Sequence, residues 1–367
     1  MSDPKLELRV SDVVRRSLGR EPAGIEEIPA GLGRRRFFRV SLVGGSPSCL
    51  IARVELPEDP ARRPPGVPPE PALEPLRSFL AAAGIPVPAR YGGDADIELL
   101  EDAGTLELRR AAVAVAAAER RRLYEEACDL VPRLQRLSAA AERIPAFGRR
   151  LDEALFRYKA DFFTRFSLPA ALGRPARTAE AAAVQEAFAF VADEAALAPQ
   201  RLSHRDLQSA NVLVREGAPP GARLVLIDLQ GALLAPPEYD LVCLLRDSYV
   251  ELDDAEVATQ LARIRAALPD AIDSDTFARR FDLLTLTRKG KDHALGFYHA
   301  SLRDDPREIR FAPTCARYLR AAAARVASLD PRLFRLAELI ERLPVESPGH
   351  DPATEAALGE RVRGQRT

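Results

Sequence analysis

Residues 201–230, RLSHRDLQSANVLVREGAPPGARLVLIDLQ, constrain this chain more than any other stretch. A short apolar run opens into a polar loop, then come a second apolar run, a Pro/Gly turn and a third run that delivers Asp228. The loop holds His204, Arg205 and Asp206 and, five residues past that acid, Asn211. Apolar runs on both sides of a Pro/Gly turn predict a β-hairpin-like frame, with Val212, Leu213 and Val214 in one arm and Leu224 to Ile227 in the other. A rigid frame presenting two carboxylates and an amide oxygen suits phosphoryl transfer from ATP. One carboxylate would orient the acceptor hydroxyl and take its proton, while the other and the amide oxygen would hold Mg2+ on the phosphates.

The spacing H-R-D-x-x-x-x-N resembles the kinase catalytic loop. His-Arg-Asp alone arises by chance; with Asn at the fixed offset, flanking strands and a strand-terminal Asp it is far more specific. The second half departs from protein kinases: Ile227-Asp228-Leu229-Gln230 replaces Asp-Phe-Gly, and Pro236-Pro237-Glu238-Tyr239-Asp240-Leu241 follows. These residues resemble the aminoglycoside phosphotransferase and choline kinase superfamily. More narrowly, Asp228-Leu229-Gln230-Gly231-Ala232 and the run to Tyr249 are similar to the bacterial N-acetylmuramate/N-acetylglucosamine anomeric kinases of cell-wall recycling. The resemblance implies an α+β, protein-kinase-like, two-lobed fold. Residues 1–103 would form a small, mixed but mostly antiparallel five-stranded nucleotide-binding lobe ending in a hinge. Residues 104–367 would form the large, mainly helical catalytic and substrate lobe.

Composition is compatible with this. A chain of 367 residues can build two sizeable cores. A net charge of −1 gives no general case for nucleic-acid or membrane binding, and no obligate protein partner is inferred. The four cysteines are scattered without a C-x-x-C pair, which suits buried thiols in a reducing compartment. With no apolar leader or membrane-length run, the expected location is cytoplasmic.

In the small lobe, periodicity predicts a helix over 6–18 stopped by Gly19, then strands over 25–29 and 37–43. Between the strands lie Gly31, Gly33 and three arginines ending at Arg36. Glycines let backbone approach phosphate oxygens and arginines add positive charge, although the same composition suits a solvated hairpin turn. Residues 49–55 read as the next strand. Arg53 stands there where kinases place a phosphate-holding lysine; an exposed strand-end arginine is the alternative. Residues 57–71 read as a mobile Pro-rich loop and 72–83 as a short helix, with Glu74 preferred over Glu70 as partner of Arg53. Strands over 88–91 and 96–100 would flank a Gly92-Gly93 turn. The resemblance implies a hinge around Leu100, Glu101 and Ala103 that binds adenine through its backbone.

In the large lobe, helices are expected over 111–137, 148–166, 179–197, 239–249, 255–268, 276–298 and 314–329, with a frayed tail after Pro344. The aromatics between Phe156 and Phe166 read mostly as core, with Tyr158 or Lys159 as possible substrate contacts. Asp240 would tether the catalytic loop. Gln208 and Gln230 flank the site and would contact acceptor or metal-bound water. From Thr285 to Arg325 there are nine basic residues against four acidic. That excess argues against polycationic antibiotics and for a neutral or anionic acceptor, with Arg288 or Lys291 partnering the carboxylate of N-acetylmuramate; solvated helix charges are the plainer alternative. The expected function is therefore ATP- and Mg2+-dependent phosphorylation of the anomeric hydroxyl of N-acetylmuramate or N-acetylglucosamine. The alternatives are another small acceptor (an amino alcohol, another sugar, an aminoglycoside) and a nucleotide-binding pseudokinase.

Overall fold

A computed structural model of the chain describes residues 3–29, 35–57, 69–302 and 306–346. It divides into two compact units. The first comprises Met1–Pro65, Leu80–Leu106 and Leu213–Ile227; the second comprises Gly66–Phe79, Glu107–Val212 and Asp228–Thr367.

The first unit opens with α1 (Pro4–Leu18). Asp3 caps its N-terminus by accepting from the Lys5 N–H, and Gly19 ends it at φ 62°, the left-handed conformation that glycine adopts without a Cβ clash. A five-stranded sheet follows: β1 (Pro22–Ile28), β2 (Arg36–Leu42), β3 (Cys49–Val54), β4 (Arg90–Gly93) and β5 (Ile97–Glu101). The spatial order is β1-β2-β3-β5-β4, and every pairing is antiparallel. Phe38, Val40 and Leu42 alternate inward along β2 and pack with Leu50, Ala52 and Leu99 against Leu6, Val10, Val13 and Val14 of α1. Burying each of the larger of these side chains contributes about 1.5–3 kcal/mol.

The expected Gly92-Gly93 turn is corrected. Both glycines lie within β4, and the reversal is made by Asp94, whose Oδ1 accepts the N–H groups of Asp96 and Ile97. Gly93 sits at φ 136° with its missing Cβ aimed 2.2 Å from the Ile97 carbonyl oxygen, so glycine is there for close strand approach. The short α2 (Leu73–Ala82) is present as expected.

The second unit is mainly helical. The single helix expected over 111–137 is two, α3 (Leu108–Ala114) and α4 (Ala117–Gln135), broken where Val115 turns extended. α5 (Glu153–Phe162) passes through a π-helical turn (Phe163–Ser167) into α6 (Leu168–Leu172), and α7 (Thr178–Ala196) follows. Four short strands come next: β6 (Arg201–Ser203), β7 (Val212–Val214), β8 (Leu224–Leu226) and β9 (Leu233–Ala235). β6 pairs with β9 and β7 with β8. The β7–β8 hairpin falls largely in the first unit, where the Val214 N–H donates to Leu106 and the Leu226 N–H to Pro86. The remaining helices are α8 (Tyr239–Leu245), α9 (Asp254–Ala267), α10 (Ser274–Leu302), α11 (Ala312–Val326) and α12 (Pro331–Ile340). α8 stops short of the expected Tyr249, and α12 had not been expected. α10 runs through the core of this unit, and its buried charges are paired: Arg280 grips Glu238 through two bonds of 2.8 and 2.9 Å, and Asp282 accepts two from Arg325. No helix among the described residues is long and apolar enough to cross a membrane.

Candidate active site

The register Ser203↔Leu233 lays the strand leaving the Asp228 turn beside the strand entering the His204–Asp206 loop. That loop bends sharply. Arg205 (φ 73°) and Asp228 (φ 63°) are the non-glycine residues with positive φ among those described, each costing on the order of 1–2 kcal/mol. Asp240, buried on the first turn of α8, holds the bend. It accepts from the Ser203 hydroxyl at 2.7 Å, the His204 N–H at 2.8 Å and the Arg205 N–H at 3.0 Å. This is the structural role expected of it. Asp247, just past α8, clamps the loop's far end by accepting from the N–H and hydroxyl of Ser209. That second clamp went unread in the sequence. The available signal was a second acid at the end of an otherwise apolar helix, because a buried carboxylate must find donors. Burial pushes both acids up in pKa, against the bonds they accept.

Asp206 lies at the loop's centre, 31 % exposed. Its Oδ1 receives Nε2 of Gln208 at 3.0 Å and lies 2.6 Å from Nη2 of Arg288. Gln208 is thus turned onto Asp206, and Asn211 donates Nδ2 to the Asp206 main-chain oxygen at 2.9 Å. Burial pushes the Asp206 carboxyl up, but the charges of Arg288, Lys291 and Arg205 outweigh it and hold the group well below the usual carboxylate range. The Arg288 contact is close in distance yet poor in angle: neither Nε nor Nη2 is aligned on an acceptor as a hydrogen bond requires, so we read the pair as Coulombic. Behind Arg288, Asp292 lies 3.2 Å from its Nε and 2.7 Å from Nζ of Lys289, which also donates to Ser248.

Gln230 repeats the pattern of Gln208 by donating to the acid two residues before it, Asp228. The turn approaches the His204–Asp206 loop at Gly231, where a Cβ would lie 3.4 Å from Nη1 of Arg205, and Arg149 braces it by donating to the Gln230 carbonyl. Asn211 and Asp228 offer a hard donor set of an amide oxygen and a carboxylate. Because Nδ2 of Asn211 is engaged by Asp206, the amide oxygen is left as the ligating atom. Such a pair fits Mg2+, which takes few protein oxygens and completes its shell with water and phosphate.

Of the residues expected to bind nucleotide, Gly31 and Gly33 lie outside the described residues, as do 58–68 of the expected mobile loop and 347–367 of the tail. Arg36 pairs with Glu27 across β1 and β2. Arg53 is 7 % exposed and is corrected in its partner: it donates to Glu98 and Glu55, each at 2.7 Å, and not to Glu74. The register Arg53↔Glu98 sets those two side chains directly opposite. Glu74 bonds Arg77 one turn along its own helix. Leu100 and Ala103 are buried, and Glu101 accepts from Arg215 at 2.6 Å.

The basic excess on α10 and α11 is not one anion site. Arg317 pairs with Glu251, Arg325 with Asp282 and Lys289 with Asp292. Arg288 is 97 % buried against Asp206, whereas Lys291 keeps 22 % exposure with its carboxylate 3.7 Å away. Lys159 is not exposed to an acceptor: its Nζ donates to the Tyr239 hydroxyl at 2.9 Å inside the core.

Comparison with known proteins fits this geometry. The chain is 28 % identical over 352 residues to the N-acetylmuramate/N-acetylglucosamine kinase of Pseudomonas putida, covering 92 % of this chain and 94 % of that protein. It is 27 % identical over 332 residues to the protein of the same name from Pseudomonas aeruginosa, covering 88 % and 89 %. The crystal structure of ADP-bound aminoglycoside phosphotransferase APH(2'')-Ib superposes with a TM-score of 0.56 at 12 % identity, over 87 % of this chain and 97 % of that one, a likeness of fold. Residues 24–274 match the phosphotransferase enzyme family APH, and the chain therefore belongs to that family as a small-molecule phosphotransferase.

Proposed function

We propose that the protein transfers the γ-phosphoryl group of ATP, with Mg2+, to the anomeric hydroxyl of N-acetylmuramate or N-acetylglucosamine, giving the sugar 1-phosphate in cell-wall recycling. The likeness to kinases of that name along almost their whole length carries the choice of acceptor. Asp206 is the carboxylate that orients the acceptor hydroxyl. Kept ionised beside Arg288, it is a weak base. That suits a loose transition state in which the hydroxyl keeps its proton until late, so positioning and charge neutralisation supply the catalysis. Asn211 and Asp228 would hold the metal, which neutralises charge on the phosphates when bound. Arg36, Arg53, Leu100, Glu101 and Ala103 are assigned to the nucleotide. Lys291 is preferred over Arg288 as partner of an acceptor carboxylate, because it alone of the two keeps exposure.

The test is acceptor-dependent ADP release over N-acetylmuramate, N-acetylglucosamine, glucose, choline and kanamycin. Turnover on the two N-acetyl sugars, a 1-phosphate product, and loss of turnover in folded Asp206→Ala and Asp228→Ala are the expected results. Turnover on choline or kanamycin alone would overturn the acceptor assignment. ATP binding with no acceptor-dependent turnover would favour a nucleotide-binding pseudokinase.

A further inference from the structure

The Gln208 amide donates to Oδ1 of Asp206, and the Arg288 guanidinium lies as a close charge beside that same oxygen. Among the described residues no hydrogen bond is donated to Oδ2. A carboxylate held through one oxygen has its rotation about the Cβ–Cγ bond fixed, and its other oxygen is presented in one direction. Arg288 is itself held from behind by Asp292, and Asp292 by Lys289, which reaches Ser248. These side chains form a continuous chain of charges along one turn of α10, ending on the catalytic carboxylate. Arg288 is 3 % exposed, so an acceptor anion could reach it only by displacing Asp206.

We propose that Arg288 is a positioning residue: it locks Asp206 through Oδ1 so that Oδ2 alone receives the acceptor hydroxyl. This rests on the phosphotransferase reading of Asp206 and replaces the substrate-binding role that the sequence suggested for Arg288. Losing the lock lets the carboxylate rotate away from the reacting hydroxyl, and misplacement of this kind costs about a hundredfold in rate. The loss falls on kcat, because Arg288 touches neither nucleotide nor acceptor. It also uncouples the reaction: an unoriented acceptor leaves water to compete, so more ADP forms than phosphorylated acceptor.

The experiment is steady-state kinetics of Arg288→Met and Arg288→Lys with ATP and the best acceptor of the panel above, reading ADP and phosphorylated acceptor separately. Expected are a kcat lowered about a hundredfold in Arg288→Met with both KM values within about threefold of wild type, a raised ADP-to-product ratio, and partial recovery in Arg288→Lys, which keeps the charge without the planar fork. A KM for acceptor raised tenfold or more with kcat unchanged would overturn the proposal and return Arg288 to substrate binding. So would wild-type kcat in a folded variant. If Arg288→Met fails to fold, Arg288→Lys decides by the same split. The contact itself is read without any acceptor, in a melting-temperature cycle of Arg288→Lys, Asp206→Asn and the double variant. Non-additive shifts support the pair and additive shifts overturn it. A wild type inert on both sugars but active on another acceptor defeats the sugar assignment alone, and the kinetic split is then read on that acceptor.

Discussion

Lys159 offers a sharp stability test. Its side chain is 7 % exposed and its Nζ finds one neutral partner, the Tyr239 hydroxyl, with the rings of Phe156 and Tyr239 beneath it. Burial, reinforced by the nearby charge of Arg288, lowers its pKa from 10.5 to about 7. The unfolded chain therefore binds more protons than the folded protein between those two values, so this group makes stability rise with pH across that window. Below it the folded protein carries the full penalty, about 5 kcal/mol from a shift of this size. At about pH 9 roughly 2 kcal/mol remains, the cost of removing on folding a proton that the unfolded amine still holds almost fully, since its pKa of 10.5 lies about 1.5 pH units higher. Lys159→Met removes the titration while keeping most of the volume. It also strands the Tyr239 hydroxyl, but that loss is the same at both pH values and cancels in the difference. Urea unfolding of both proteins should therefore show the variant gaining about 2.5 kcal/mol more, relative to wild type, at about pH 6 than at about pH 9. A difference within about 0.5 kcal/mol of zero would refute the claim that the fold buries this amine at a cost.

Two further outcomes follow from the site. Asp240→Ala leaves three donors of the catalytic loop without their acceptor, which should lower stability by about 3 kcal/mol or more in urea unfolding. It should also collapse kcat, because the positive φ of Arg205 loses its restraint. Lys291→Met should raise KM for N-acetylmuramate roughly tenfold and leave that for N-acetylglucosamine within about threefold, since only the former carries a carboxylate; equal effects on both would remove Lys291 from acceptor recognition.

The elements around the catalytic loop were legible because their signals are local. Apolar runs either side of a Pro/Gly turn predict the β7–β8 hairpin, and alternation in Phe38, Val40 and Leu42 predicts a one-sided strand. Local signals also misled where one residue type serves two ends. Gly92 and Gly93 suggest a turn by composition, yet their freedom is used for close strand approach, and Asp94 makes the reversal. The break at Val115 was hidden inside an Ala-rich run whose average propensity favours helix.

Partner choice among charged side chains was not legible in the same way. A linear reading offers Glu74 or Glu70 as the partner of Arg53; the β3–β5 register selects Glu98. Arg288 reads as a partner for an acceptor carboxylate, or as a solvated helix charge, until packing buries it and sets that guanidinium beside Asp206. The sequence by itself determined the elements and the set of chemical groups, because backbone periodicity and loop chemistry depend on neighbours a few residues away. Tertiary structure alone decided which group faces which, because a buried charge must pair with whatever distant element the core brings within a few ångströms of it.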